Sequence, residues 1–271
     1  MKKYLIALDL DGTLLYDWDT LKQETVEYLQ TLQKQGHKLV IATGRPYRSS
    51  ERFYQMLKPN TPLINYNGGL VTWKDNPEFE EIAHVLKKET VIDVFKQNEQ
   101  HIHNAFCEIK DDIYLLEKSE EIMPLIHYFN GASLHVGPFD ETLPSDPNGF
   151  IVVANKNHGF VIEQFVKAHY SDEILVRNWG DNYNFILELY TPKTNKGIAL
   201  KHVAELLGFE QENIIAFGDG NNDIEMIEYA GVGVAMANAH PELLKAADVV
   251  SPYSNTENAI ERFLKDFLKN K

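Results

Sequence analysis

The feature that most constrains this fold is a pattern met three times along the chain. A short apolar run stops abruptly at polar residues and a glycine, and a helix-like segment follows. Tyr4-Leu5-Ile6-Ala7-Leu8 stops at Asp9-Leu10-Asp11-Gly12-Thr13. Lys38-Leu39-Val40-Ile41-Ala42 stops at Thr43-Gly44-Arg45-Pro46, and Asn213-Ile214-Ile215-Ala216-Phe217 stops at Gly218-Asp219-Gly220-Asn221-Asn222-Asp223. Strands separated by helices argue for a parallel sheet with helices on both faces. In such sheets ligands gather at the carboxyl ends of the strands, which is where these polar stops fall.

The first stop carries the most chemistry. Side chains at i and i+2 of an extended segment point the same way, so Asp9 and Asp11 are expected to face one site. Two like charges there call for a cation or a shared proton. Gly12 supplies the turn and permits close approach. A polar turn at a strand end is the plain alternative. A calcium loop is excluded, because Thr13-Leu14-Leu15-Tyr16 is apolar where alternate oxygen ligands are required.

The chain has 271 residues, 44% hydrophobic and 24% charged, as in ordinary globular proteins. Its formal net charge of −14 argues against general binding to nucleic acid or membrane surfaces. An anionic substrate therefore needs local positive features. The single cysteine, Cys107, excludes a disulfide within the chain and reads as a small hydrophobe. The first apolar run is too short for a signal peptide, and no stretch approaches a membrane span, so a cytoplasmic protein is expected.

Spacing predicts helices from about Leu21 to Gly36 and over 47–57, then a short strand at Pro62–Asn65 and a turn at Asn67-Gly68-Gly69. The last third predicts a helix from about Asn195 to Leu207 and another over 223–229. A strand at Gly231–Met236, a helix at Pro241–Ala246, a strand at Val249-Val250 and a closing helix at Asn255–Leu268 come next. The middle differs. Ala105–Ile109 and Ile113–Glu117 flank a hairpin turn, and Phe150–Ala154, Ile174–Trp179 and Phe185–Tyr190 are further strands. Helices are expected near Thr90–Gln100, Glu120–Phe129 and His158–His169. The fold class expected is α/β: a Rossmann-like, doubly wound parallel core (1–82 with 189–271) carrying an inserted α+β domain (83–188). There is no internal repeat.

A lysine and the last of these stops complete a constellation. Lys196 opens a predicted helix, where the macrodipole disfavours a cation by about 0.3–1 kcal/mol unless an anion meets it. A solvated surface lysine is the alternative. Gly218–Asp223 sets hard oxygen ligands in a glycine-rich turn, which suits Mg²⁺, although Asn221 also reads as part of a helix cap. Together the stops supply what phosphoryl transfer needs: a nucleophile, an acid/base, a divalent cation and donors for the phosphoryl oxygens.

On Asp9-Leu-Asp-Gly-Thr13, Ala42-Thr43-Gly44-Arg45, Lys196-Gly197 and Gly218–Asp223, in that order, the chain resembles the haloacid dehalogenase-like phosphatases. More closely it resembles the Cof type, with a large α/β cap between the second and third motifs. Gly233–Ala239 is similar to the family too. Asn258-Ala259 departs from it, where a glycine is expected. The resemblance implies that Asp9 attacks phosphorus to form an aspartyl-phosphate. It implies that Asp11 is the general acid and then the base, and that Mg²⁺ is held by Asp9, the Asp11 carbonyl and Asp219 with support from Asp223. Thr43, Gly44, Lys196 and Asn222 then bind the phosphoryl oxygens. Arg45 either touches the leaving group or braces its loop.

The implied activity is hydrolysis of small phosphorylated metabolites, sugar phosphates first, then nucleotides or phosphorylated cofactors. The protein is expected to act as a monomer or homodimer, and its cap to close over the site, exclude water and select the leaving group. A phosphomutase and a non-catalytic phospho-ligand sensor are the alternatives. His101 and His103 lack metal-ligand spacing and read as structural. Trp73, Trp179 and Tyr183 line the cap face or simply pack.

Overall fold

The computed structural model describes residues 2–179 and 186–269. In chain order the strands are β1 (Leu5–Leu8), β2 (Lys38–Ile41), β3 (Leu63–Asn65), β4 (Leu70–Thr72), β5 (Ile82–Ala83), β6 (Ile102–Ile109), β7 (Asp112–Leu115), β8 (Leu134–Val136), β9 (Gly149–Ala154), β10 (Leu175–Asn178), β11 (Ile186–Tyr190), β12 (Ile214–Gly218), β13 (Val232–Ala235) and β14 (Val249–Val250). The helices are α1 (Gln23–Lys34), α2 (Tyr47–Leu57), α3 (Lys88–Asn98), α4 (Phe139–Thr142), α5 (Gly159–His169), α6 (Lys196–Leu207), α7 (Ile224–Tyr229), α8 (Pro241–Ala246) and α9 (Ala259–Lys269). The chain forms two compact units: Met1–Arg45 with Ser50–Ile82 and Asn195–Lys271, and Pro46–Ser49 with Ala83–Thr194. Among the described residues no helix is long and apolar enough to cross a membrane.

The first unit is built on a five-stranded sheet in the order β14-β13-β12-β1-β2, parallel throughout. Its strands bury alternate residues on opposite faces. Leu5, Ala7, Val40, Ile214 and Ala216 pack against Leu200 and Val203 of α6 and Met226 and Ile227 of α7. On the other face Phe217 meets Phe263 of α9 edge-on, with ring centroids 5.5 Å apart. Helices on both faces make this the doubly wound core that the apolar runs predict. Strand register aligns the polar stops. Leu8 pairs with Ile41 and with Phe217, so Asp9, Ala42 and Gly218 stand at one level at the ends of their strands.

The second unit carries a six-stranded sheet in the order β10-β11-β9-β6-β7-β8. Its pairs are antiparallel except for β7 with β8. Alternation along β6 sends Ala105 and Cys107 into a core with Val94 of α3 and Ile162 of α5, and Phe106 into a second core on the opposite face. Cys107 is fully buried, and that burial, with the nearby Glu108 charge, pushes its thiol well above the usual range.

Two predicted helices are corrected. Glu120–Phe129 forms a series of turns. Ile122 and Ile126 do cover the Phe106 face, at the helical spacing that suggests a helix. Pro124 between them lacks the N–H that a helix needs. The freed carbonyls are met from elsewhere in the unit: the buried Arg48 guanidinium donates to Ile126 O at 2.8 Å and His127 O at 2.9 Å, and pairs with Glu108. The closing helix starts at Ala259, because Asn258 adopts the left-handed conformation (φ 58°) after a single turn at Asn255–Glu257. That conformation accounts for the glycine expected here. Asn tolerates it better than most residues, and its Oδ1 accepts from Lys22 Nζ at 2.9 Å. Strands β4, β5 and β8 are not among those the sequence predicts. Tyr183, and Phe185 at the head of a predicted strand, lie outside the described residues.

Helices α6 and α7 approach closely at Gly197, where an added Cβ would lie 2.4 Å from the Glu225 carbonyl oxygen. Gly197→Ala is therefore expected to cost about 1–3 kcal/mol, despite alanine's better helix propensity. Denaturant unfolding measures this, and an unchanged midpoint would show that the helices have room to spare.

Candidate active site

Asp9 continues β1 by one residue, its N–H donating to Phe217 O at 3.2 Å. The chain then coils: Leu14 N donates to Asp9 O and Leu15 N to Leu10 O. Gly12 sits in the left-handed region, and a Cβ there would fall 2.1 Å from Asp219 Oδ2. Only glycine fits both demands. The coil delivers Thr13, whose hydroxyl donates to Asp219 Oδ1 at 2.9 Å. Asn238 closes this side, donating to Gly12 O at 2.8 Å.

Lys196 begins α6, behind an Asn195 cap whose side chain accepts from Ile198 N at 2.7 Å. The Lys196 side chain is fully buried, and its ammonium lies 2.6 Å from both Asp9 Oδ1 and Asp223 Oδ1. The surface-lysine alternative is thereby excluded. Asp223 uses its other oxygen to accept from the Asp219 and Gly220 N–H groups, each at 2.9 Å. One carboxylate thus joins the ammonium to the turn after β12.

One oxygen each from Asp9, Asp219 and Asp223 lie within 4.8 Å of one another. A single ammonium cannot balance three carboxylates. Burial first, and then repulsion from Asp223, raises Asp9 well above the usual carboxylate range and pushes Asp219 up to about 7. Burial works against the Lys196 charge, but Asp223 and Asp9 outweigh it and hold the lysine above its ordinary value. Excess negative charge on hard oxygen donors fits a divalent cation, which would let all three carboxylates ionise.

Asp11 departs from the i, i+2 expectation. The strand ends at Leu8, and the coil beyond it turns the Asp11 carboxylate toward a different cation. Arg45 Nε donates to Asp11 Oδ2 at 2.8 Å and Nη2 to Oδ1 at 2.5 Å. Asp11 is not among the three clustered carboxylates. The charge count therefore includes a second buried cation, Arg45, which the motif alone does not reveal.

The remaining predicted residues flank the cluster. Thr43 is fully buried; its hydroxyl oxygen accepts from Arg45 N at 3.1 Å, which leaves its own proton to donate. Gly44 lies against Asn67, where a Cβ would come within 3.1 Å of Oδ1. Asn222 Nδ2 donates to that same Oδ1 at 2.8 Å. Asn67, which reads as a turn residue, thus positions Asn222. Its φ of 55° is the one trace of this in the backbone. Trp73 packs on Phe79 within the first unit, and Trp179 donates to Glu188 on the β10–β11 pair. His101 lies 3.1 Å from His158 and His103 lies 3.3 Å from Glu121, and neither joins the carboxylate cluster.

The charge cluster makes stability depend on pH. The Asp219 carboxyl binds its proton more tightly folded (about 7) than in an unfolded chain, near 3.9. Across that window the folded state holds more protons, so metal-free protein is expected to lose stability as pH rises through it. A saturating divalent cation should oppose the loss. Melting curves from pH 5 to 8, with chelator and with cation, measure this; parallel curves would overturn it.

A profile of the haloacid dehalogenase-like hydrolases matches residues 6–264. The 5-amino-6-(5-phospho-D-ribitylamino)uracil phosphatase YitU of Bacillus subtilis is 33% identical over 267 residues, covering 98% of each chain. The pyridoxal phosphate phosphatase YbhA of Escherichia coli is 30% identical, covering 97% of this chain and 98% of its own. A haloacid dehalogenase-like hydrolase from Bacteroides thetaiotaomicron superimposes with a TM-score of 0.83 at 25% identity, covering 98% of this chain and all of its own. With this match over almost its whole length, the chain belongs to the haloacid dehalogenase-like hydrolases, as a Cof-type phosphatase.

Proposed function

We propose that the chain is a Mg²⁺-dependent phosphatase of small phosphorylated metabolites that works through an aspartyl-phosphate. The observation that carries this reading is the buried ammonium shared by Asp9 and Asp223, 2.6 Å from each. An aspartate held there is oriented, is shielded from water and has a cation beside it to meet incoming phosphate charge.

In this reading an Asp9 oxygen attacks phosphorus, and the ester oxygen leaves with a proton from Asp11. Water then attacks the aspartyl-phosphate while Asp11 takes back a proton, which frees phosphate and regenerates Asp9. To serve as the acid, Asp11 must release part of its two-bond grip on Arg45. Thr43 O–H, Gly44 N–H, Lys196 and Asn222 hold the phosphoryl oxygens. Asp9, the Asp11 carbonyl and Asp219 would hold Mg²⁺, with Asp223 supporting them. The ion supplies the positive charge that lets a carboxylate and a phosphate dianion share one pocket. The names of the two relatives, a phosphoribitylaminouracil phosphatase and a pyridoxal phosphate phosphatase, support phosphorylated cofactors and other small phosphate esters beside sugar phosphates as the substrate class.

Phosphate release from a panel of such esters tests the reading. Asp9→Asn is expected to lower kcat about a thousandfold or more, and a chelator is expected to abolish activity until Mg²⁺ is restored. A parent protein that releases phosphate from no ester, or an Asp9→Asn variant as active as the parent, would overturn it. Transfer of phosphate to a second substrate molecule in place of water would assign a phosphomutase. With labelled p-nitrophenyl phosphate, whose leaving group needs no proton, Asp11→Asn is expected to slow only the second half-reaction, so that labelled phosphate stays on the protein after rapid quenching. Equal rates of labelling and release in that variant would argue against Asp11 as the base.

A further inference from the structure

Trp18 is 60% exposed, yet the loop that carries it is fixed in place. The Asp17 carboxylate accepts from Asp19 N, Thr20 N and the Thr20 hydroxyl at 2.8–3.1 Å. Tyr16 N donates to Thr20 O at 2.8 Å, and Asn255 Nδ2 donates to Leu15 O at 2.8 Å. Arg52 pairs with Asp19. A mobile loop can tuck an indole away from water. A large aromatic held exposed by a hydrogen-bonded loop like this one is available to stack on a ligand.

The position of the indole says what it would bind. Its ring covers the Arg45 guanidinium at 4.4 Å, and the Trp18 main-chain carbonyl accepts from Arg45 Nη2 at 2.6 Å. Arg45 in turn holds Asp11. Trp18 is thus joined to Asp11 through a single guanidinium. Asp11 protonates the departing oxygen in the proposed reaction, so this is where the leaving group departs. An indole stacks on a flat, electron-poor ring over most of its area, whereas the puckered C–H face of a sugar meets it at fewer atoms.

We infer that Trp18 is a specificity-determining residue that selects phosphate esters whose leaving group carries a planar heteroaromatic ring. The inference rests on the hydrolase reading of the same site and refines its substrate class, setting heteroaromatic esters ahead of simple sugar phosphates.

The test compares pyridoxine 5′-phosphate with glucose 6-phosphate, as the ratio of their kcat/KM values, in the parent, Trp18→Ala and Trp18→Phe. The ratio is expected to favour the pyridine ester in the parent. It should fall roughly tenfold in Trp18→Ala, from the loss of one stacked ring, and return most of the way in Trp18→Phe. Equal losses on both esters would mean that Trp18 only props Arg45, and would overturn the proposal. An unmoved ratio with no loss would overturn it too. The same substitutions in an Asp9→Asn background give the ratio of the two dissociation constants without turnover. Failure of hydrolysis is thereby separated from failure of ring selection: a ratio of dissociation constants insensitive to Trp18 sinks this inference whatever the hydrolase reading does.

Discussion

The buried ammonium of Lys196 is the constraint on which the rest of the site depends. It bonds Asp9, 187 residues away in the chain, and Asp223, 27 residues away. A charge taken wholly out of water is costly unless its partners are in place, and each carboxylate here needs the ammonium as much as it needs them. The tie is accordingly mutual. The end of β1, the start of α6 and the turn after β12 are positioned as a set, and the parallel register of β1 and β12 brings two of the three to the same level before any side chain is considered.

A second cation divides the labour. Arg45 takes Asp11 out of the crowded carboxylate group and leaves Asp9, Asp219 and Asp223 to share the lysine. Two aspartates two positions apart therefore live in unlike fields: one buried among like charges beside an ammonium, the other at the margin, gripped by a planar guanidinium. Environments that pull two identical groups apart are how a pair of carboxylates comes to perform different tasks. The coil at Leu10–Leu14 produces the separation, because it ends the strand geometry that would have kept the two side chains parallel.

Much of this was legible in the sequence because it comes from local rules. Uninterrupted apolar runs announced the parallel core. The misplaced cation at a helix start announced that Lys196 had an anion to meet. Gly12 was legible as a turn, though not as the only residue that clears Asp219. Contacts between distant side chains were not legible. Nothing in Thr-Gly-Arg says that Arg45 reaches Asp11, nothing in Asn67 says that it orients Asn222, and Trp18 looks like any loop aromatic until the guanidinium beneath it is seen. The segment at 120–129 misled for a different reason. Ile122 and Ile126 keep the spacing of a helix face, while Pro124 and the Arg48 guanidinium satisfy the backbone in another way.

Cys107 has a practical consequence. It is the only thiol in the chain, sealed in the sheet core of the second unit and held in its protonated form. Thiol-directed reagents should pass it by while the protein is folded. A cysteine introduced at a chosen surface position would then be the sole point of attachment for a fluorophore or spin label, with no native residue to remove first. Conversely, the slow appearance of reactivity in the unmodified chain would report the opening of that core directly.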